Sequence, residues 1–305
     1  MQKIIDRAVA EIGTVLLGKE VQLRLALCCL FGRGHLLIED LPGMGKTTLS
    51  NALAKVLGLD YQRVQFTSDL LPADILGVSV FNRDNAQFEF KAGPIFTQLL
   101  LADEINRTTP KSQSALLEAM EEGQVTIEGK TRELPAPFFV IATQNPASQS
   151  GTYPLPESQL DRFLMRISLG YPDPDAERKL LLGEDTRRKL ARLQPQISPA
   201  ELNTIQKAVD DVHCSDSLVD YVQRLVAHSR NHADISVGLS PRGALALLRC
   251  AKTWALINGR GHTVPEDVQM VLPSVVEHRI NGNSDYAHNK GGFSQQLLEQ
   301  VSVIK

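Results

Sequence analysis

The chain has 305 residues, of which 43% are hydrophobic and 22% charged, the balance of a globular protein with one large or two modest domains. Its net charge of −3 excludes a general nucleic-acid-binding signature and leaves open only a local basic patch. No run approaches the roughly 18 uncharged apolar residues of a membrane helix, since the stretch from Leu25 to Phe31 is short and sits between Arg24 and Arg33.

Taken in chain order, residues 3–31 read as helical with a break at Gly13 to Gly18. Residues 35–40 read as a strand and 46–57 as a helix, joined by Glu39-Asp40-Leu41-Pro42-Gly43-Met44-Gly45-Lys46-Thr47-Thr48. A strand, a Gly-rich turn and Gly-Lys-Thr opening a helix form a triphosphate cradle. Gly43 and Gly45 let successive backbone N–H groups turn inward, and the helix N-terminus adds partial positive charge. Lys46 is expected to reach the β- and γ-phosphates, with the Thr47 hydroxyl on Mg²⁺. The usual G-x-x-x-x-G-K-[ST] pattern is broken at its first position, where this chain has Asp40.

Tyr61–Phe66 reads as a second strand and Leu99–Asp103 as a third, the latter ending in Asp103-Glu104. Asp103 is placed to hold the magnesium shell and Glu104 to orient the attacking water. Between these strands, 78–82 and 87–91 form a hairpin. A second hairpin pairs 124–128 with 131–134 after a helix at Lys111–Glu121. Phe138–Thr143 and Met165–Leu169 complete the strands, so the alternation implies a parallel sheet with helices on both faces. Tyr171-Pro172-Asp173-Pro174 stops the pattern. Beyond it, Ala176–Leu193, Pro199–Val212, Ser217–Asn231, Pro241–Ile257 and Pro265–Glu277 all read as helices, three of them opened by proline. The division is a nucleotide-binding core at 1–170 carrying two hairpin insertions and a smaller all-α lid at 171–305.

Smaller features have plain readings. His228 and His232 lie four apart and read as a solvated or capped helix end, and Trp254 reads as lid core. Cys28, Cys29, Cys214 and Cys250 lack metal-ligand spacing and read as reduced core residues. With no secretory signal at an N-terminus that mixes Lys3, Asp6, Arg7 and Glu11, the cytoplasm is the expected location.

Three further groups narrow the reading: Val140-Ile141-Ala142-Thr143-Gln144-Asn145-Pro146, Leu160-Asp161-Arg162-Phe163 and Leu239-Ser240-Pro241-Arg242. In this order they resemble an AAA+ ATPase and, more narrowly, the MoxR-type branch. The stretches LIEDLPGMGKT, FTSDLLPADILG, LLLADEINR, LLEAMEEGQVTI, FFVIATQNP and LPESQLDRFLMRI carry the likeness along nearly the whole chain. The resemblance implies a P-loop core with a helical lid, ATP and Mg²⁺ as nucleotide and metal, and ATP hydrolysis in a homo-oligomeric ring, a hexamer. It implies a phosphate loop of Pro42, Gly43, Met44, Gly45, Lys46, Thr47 and Thr48, and Asn145 as first sensor. It makes Arg162 the finger reaching a neighbouring subunit, with Arg166 close enough to share that role. Arg242 becomes the second sensor, touching phosphate across its own cleft, and Leu17 with Gly18 holds adenine. Both hairpins line a central pore, with Phe81, Phe88 and Lys130 at their tips, and rotation of lid against core moves them.

The same resemblance implies a chaperone-like role in maturing, assembling or activating a partner protein. Partners of that branch often carry a von Willebrand factor A domain. Two alternatives stand beside it. One is a magnesium-chelatase-like subunit or a nucleic-acid-directed motor, although the hairpin charges balance and disfavour nucleic acid. The other is an ATP-gated scaffold without turnover, against which Glu104, Asn145 and Arg162 argue.

Overall fold

The computed structural model describes residues 1–145, 152–182, 186–282 and 292–304. Helices α1 (Gln2–Gly13) and α2 (Glu20–Phe31) precede β1 (Leu36–Glu39) and α3 (Lys46–Val56). Strand β2 (Tyr61–Gln65) leads through α4 (Pro72–Leu76) into the hairpin β3 (Gly77–Asn82) and β4 (Gln87–Ala92), then β5 (Leu99–Asp103). Helix α5 (Pro110–Glu122) runs into the second hairpin, β6 (Gln124–Ile127) and β7 (Lys130–Glu133), followed by β8 (Phe139–Gln144), α6 (Glu157–Leu160) and β9 (Met165–Ile167). The lid comprises α7 (Pro174–Leu181), α8 (Thr186–Arg192), α9 (Pro199–Asp210), α10 (Asp216–Asn231), β10 (Ile235–Val237), α11 (Pro241–Ile257), α12 (Pro265–Val276), β11 (Asn281–Gly282) and α13 (Gly292–Gln300).

The central sheet has the order β2-β5-β8-β1-β9, and every pairing in it is parallel. The inner strands β5, β8 and β1 are covered on both faces, which is why their runs are apolar nearly throughout, whereas the edge strand β2 buries only Val64. The two-residue period then divides them cleanly. Leu36, Ile38, Leu99, Leu101, Phe139 and Ile141 face one core, shared with α1, α2 and α3. Leu37, Leu100, Ala102, Val140 and Ala142 face the other, shared with α5. The C-terminal ends of β1, β5 and β8 lie side by side, so residues that follow them converge on one edge.

The lid helices begin where their caps dictate. Ser198 and Glu201 form a reciprocal capping box ahead of Pro199, and Ser240 Oγ accepts from Gly243 N at 2.9 Å ahead of Pro241. The segment expected as one helix at 176–193 is two helices, α7 and α8, separated by residues 183–185, which lie outside the described residues, as does Pro146. The lid also carries a short antiparallel ladder, β10 with β11, which its helical periodicity hides. Lid and core are not separate hydrophobic units. Leu202, Tyr221, Leu247, Trp254 and Val271 belong to the same buried cluster as α1, α2 and one face of the sheet. At the end of α10, Asp234 N donates to His232 Nδ1, so that histidine closes a helix. Cys28, Cys29 and Cys250 are buried free thiols.

Candidate functional site

The phosphate loop leaves β1 and enters α3 through two left-handed glycines, Gly43 at φ 87° and Gly45 at φ 91°. Side chains resist that conformation, and at Gly43 nothing lies within 4 Å of where a Cβ would stand, so the curve opens outward as a cradle. The cleft beside it, of about 320 Å³, is lined by Pro42, Gly43, Gly45, Lys46, Thr47, Thr48, Asp103, Glu104 and Asn145. Sheet topology explains the convergence, since Asp103, Glu104 and Asn145 stand at or just beyond the ends of β5 and β8.

A dense polar network fixes these groups. Lys46 Nζ donates to Asp40 O at 2.6 Å and to Asn145 Oδ1 at 3.1 Å. Burial pushes the Lys46 ammonium below its ordinary range, and the carboxylates of Asp40, Asp103, Glu104 and Glu39 oppose that shift. Thr143 Oγ1 donates to Asp103 Oδ1 at 2.6 Å and accepts from Glu104 N at 2.8 Å. Arg63 grips Asp103 Oδ2, its two nitrogens at 2.7 and 3.1 Å. Glu104 adopts φ 57°, and its carboxylate accepts from Gln65 Nε2 at 2.8 Å and Asn145 Nδ2 at 3.2 Å, with Arg107 Nε at 3.1 Å. Asn106 Nδ2 donates to Asn145 O at 3.1 Å. The cleft therefore combines a buried ammonium, a hydroxyl, two carboxylates and an open backbone curve, a donor set that fits a triphosphate with Mg²⁺ on Thr47 and Asp103. Among the described residues, no group of three or more His, Cys, Asp or Glu could hold a metal ion.

A second cavity, of about 370 Å³, adjoins the first through Gly43, Gly45 and Thr48, and Leu17, Met44 and Pro172 help form its apolar wall. Its size and position suit a base. Gly18 does not line it. A Cβ there would come within 2.2 Å of Asp173 Oδ2, so this glycine allows close approach of the core–lid connection.

The arginines lie elsewhere. Arg162 precedes β9, whose Met165 pairs with Leu36 at the start of β1, whereas the phosphate loop follows the end of β1. From the level of Leu36 to Asp40 the strand rises about 13 Å. Arg162 and Arg242 share one carboxylate there, with Arg162 Nη2 at 3.0 Å from Glu121 Oε2 and Arg242 Nη1 at 3.1 Å from Glu121 Oε1. Both line a cavity of about 600 Å³ that has no residue in common with the phosphate cleft. Arg242 is thus grouped with Arg162 and not with Lys46, contrary to the expectation of contact across its own cleft. The reason is topological: the cap of α11 docks on the strand-start edge, where Ser240 Oγ donates to Asp161 Oδ2 at 3.1 Å. Arg166 points back along the sheet to Glu39 Oε2 at 2.7 Å and lines neither cavity.

Comparison with known proteins places this architecture. Residues 35–165 match the ATPase family associated with various cellular activities (AAA), and residues 227–301 match the AAA lid domain. The chain is 38% identical to chaperone MoxR1 of Mycobacterium tuberculosis, over 90% of this chain and 75% of that protein. It belongs to the MoxR family of AAA+ ATPases. It is also 45% identical to the protein YeaC of Bacillus subtilis, over 92% of this chain and 88% of that one. A crystal structure of a protein from Cytophaga hutchinsonii matches with a TM-score of 0.89 and 37% identity, covering 100% of this chain and 96% of that one.

Within this MoxR-family chain, several residues that shape the candidate site are invisible to motif reading. Asp40 is the plainest. Its Oδ2 accepts from Leu169 N and Gly170 N, both at 2.7 Å, and from Ser168 Oγ at 3.1 Å, while Oδ1 accepts from Leu41 N at 2.8 Å. The departure from the generic loop is a clamp between the phosphate loop and the end of β9. Its only sequence signal was that departure. Gln65, Arg63 and Glu121 carry no motif at all and become visible only once strands and helices are placed.

Proposed function

We propose that this MoxR-family chain hydrolyses ATP to ADP and phosphate at a site shared between neighbouring subunits of a closed ring, a hexamer. The observation that carries the reading is the separation of the two halves. Lys46, Thr47, Asp103, Glu104 and Asn145 line one cleft, and the two arginines that would stabilise departing charge lie together on the opposite strand edge. Neither half is complete alone, and a head-to-tail ring brings one subunit's cleft to the next subunit's arginine face.

In that site, the N–H groups of the loop and the α3 N-terminus cradle the phosphates. Lys46 exchanges Asp40 O and Asn145 Oδ1 for β- and γ-phosphate oxygens. Thr47 and Asp103 would hold Mg²⁺, which would supply charge neutralisation at the phosphates. Glu104 accepts a hydrogen bond from the attacking water and aligns it with the γ-phosphorus, and Asn145 fixes Glu104 by donating from its amide. Leu17 and Met44 pack the base. Arg162 and Arg242 release Glu121 and meet the neighbour's γ-phosphate. Such fingers contribute on the order of 10³–10⁵ in rate.

The turnover drives remodelling of a client protein, in keeping with the naming of MoxR1 as a chaperone. A client or adaptor with a von Willebrand factor A domain fits the branch. The hairpins supply the client surface: Phe81 and Phe88 stack edge to face at 5.3 Å and are exposed, while Arg132 lies 3.9 Å over Phe90 and Ser79 Oγ donates to Glu128 Oε2 at 2.6 Å, tying the two hairpins together. Cytoplasmic location is supported by the free cysteines, and no described helix is long and apolar enough to cross a membrane.

Complementation tests the shared site. Glu104→Gln and Arg162→Ala chains are each expected to bind ATP and turn over at least about 100-fold more slowly than the parent. Mixed in equal amounts they regain activity, because an Arg162→Ala chain's intact cleft meets the intact arginine of a Glu104→Gln neighbour. Mixed rings that stay as inactive as their components would refute a composite site.

A further inference from the structure

Both arginines of the face sit on short pieces of chain that no β-ladder holds. Arg162 lies in the turn between α6 and β9, and Arg242 in the first turn of α11. One buried group joins the two. Arg279, just beyond α12 with its side chain 3% exposed, donates from Nε to Asp161 Oδ1 at 2.7 Å. Its Nη2 donates to Phe163 O at 2.6 Å and Asp161 O at 3.3 Å, and its Nη1 to Leu164 O at 3.2 Å and to Val275 O. The guanidinium therefore takes the carbonyls on both sides of Arg162 and leaves that side chain free to project. The remaining Asp161 oxygen accepts from Ser240 Oγ, the same hydroxyl that caps α11 two residues before Arg242. A planar fork of five donors can satisfy this set at once, which an ammonium cannot.

We propose that Arg279, acting through Asp161, is the positioning residue that sets Arg162 and Arg242 as one rigid pair for the neighbouring subunit's nucleotide; this rests on the shared-site reading above. Lid and arginine turn then move as one body, and ring motion occurs between subunits and not by opening of the lid across its own cleft. The shared hydrophobic cluster of lid and core agrees with that assignment.

The test uses full-length chains, with assembly checked by sedimentation. Arg279→Lys keeps the charge and loses the fork; Asp161→Asn keeps the shape and loses the charge; Ser240→Ala cuts the link to α11 together with that helix's cap. The first two are expected to lower kcat about 10- to 100-fold with KM for ATP changed less than about twofold, since a misplaced group costs that much in rate. Ser240→Ala lowers kcat in the same direction by less. Diluted into an excess of Glu104→Gln chains, Arg279→Lys and Asp161→Asn regain turnover, because their own clefts are then served by intact arginines. Arg162→Ala is run beside them. If Arg162→Ala is not rescued, the shared-site reading fails and this proposal with it. If Arg162→Ala is rescued while assembled Arg279→Lys and Asp161→Asn are not, or if both keep parental kcat, the shared site stands and the positioning role is overturned.

Discussion

Asp40 shows how much one side chain decides. Its carboxylate is buried and receives four donors, three of them from the stretch Ser168 to Gly170 that follows β9. Removing it leaves buried N–H groups without partners, at about 2–4 kcal/mol in total. We expect Asp40→Ala to lose about that much stability in urea unfolding and to weaken ATP binding, because the loop is then anchored at one end only. Asp40→Gly, which restores the generic phosphate-loop pattern, should be as damaging. A loss below about 0.5 kcal/mol for either variant would show that the clamp is not needed. Asn145 is the complementary case. It links the buried ammonium of Lys46 to the carboxylate of Glu104, so in the proposed site one amide would couple the phosphate to the group that aligns water. Its position at a strand end was legible; its two partners were not.

At the scale of elements, His35 stitches three of them. Lying just before β1, it accepts from Val140 N of β8 at Nδ1, 2.9 Å, which puts the ring proton on Nε2 facing Met120 O of α5 at 3.1 Å. Burial, aided by the charge of Arg242, pushes its pKa down to about 4, although the Met120 carbonyl opposes the shift. The folded imidazole stays neutral while the unfolded one takes a proton near pH 6.5. Stability from this group is therefore complete above pH 6.5 and is lost as pH falls toward 4, by on the order of 3 kcal/mol. Urea midpoints from pH 7 to pH 4.5 should fall more steeply in the parent than in His35→Asn; parallel curves would remove His35 from the account. The elements themselves were largely readable. Three apolar runs of strand length, in β1, β5 and β8, and two mixed ones, Tyr61–Phe66 and Met165–Leu169, dictated the parallel sheet, and Pro199, Pro241 and Pro265 marked helix starts. Other features escaped. The pair α7 and α8 reads as one amphipathic stretch, β10 and β11 are too short to show a period, and α4 is a single turn fixed by its Leu71–Asp74 backbone cap. Burial of α2 against lid helices also hid from periodicity, because α2 is apolar nearly all round, with eight buried residues from Leu23 to Phe31.

At the scale of the whole molecule, the order of strands separates cleft from arginines, and motif order along the chain cannot show that. By resemblance Arg162 reaches a neighbour's nucleotide whereas Arg242 touches the phosphate of its own chain. The sheet puts their turn at the starts of β1 and β9 and the phosphate loop at the other end. Glu121 bridges the pair and offsets one of its two positive charges. The central claim is that an ATPase site exists only between chains. The most direct measurement is ATP turnover per subunit across a wide range of protein concentration, with mass followed in the same samples. Turnover should be nearly absent where the chain is monomeric and rise steeply as rings form, by on the order of 10³-fold, the contribution of a finger in trans. Turnover per subunit that stays constant down to concentrations where only monomers remain would mean that one chain completes its own site, and would contradict the account.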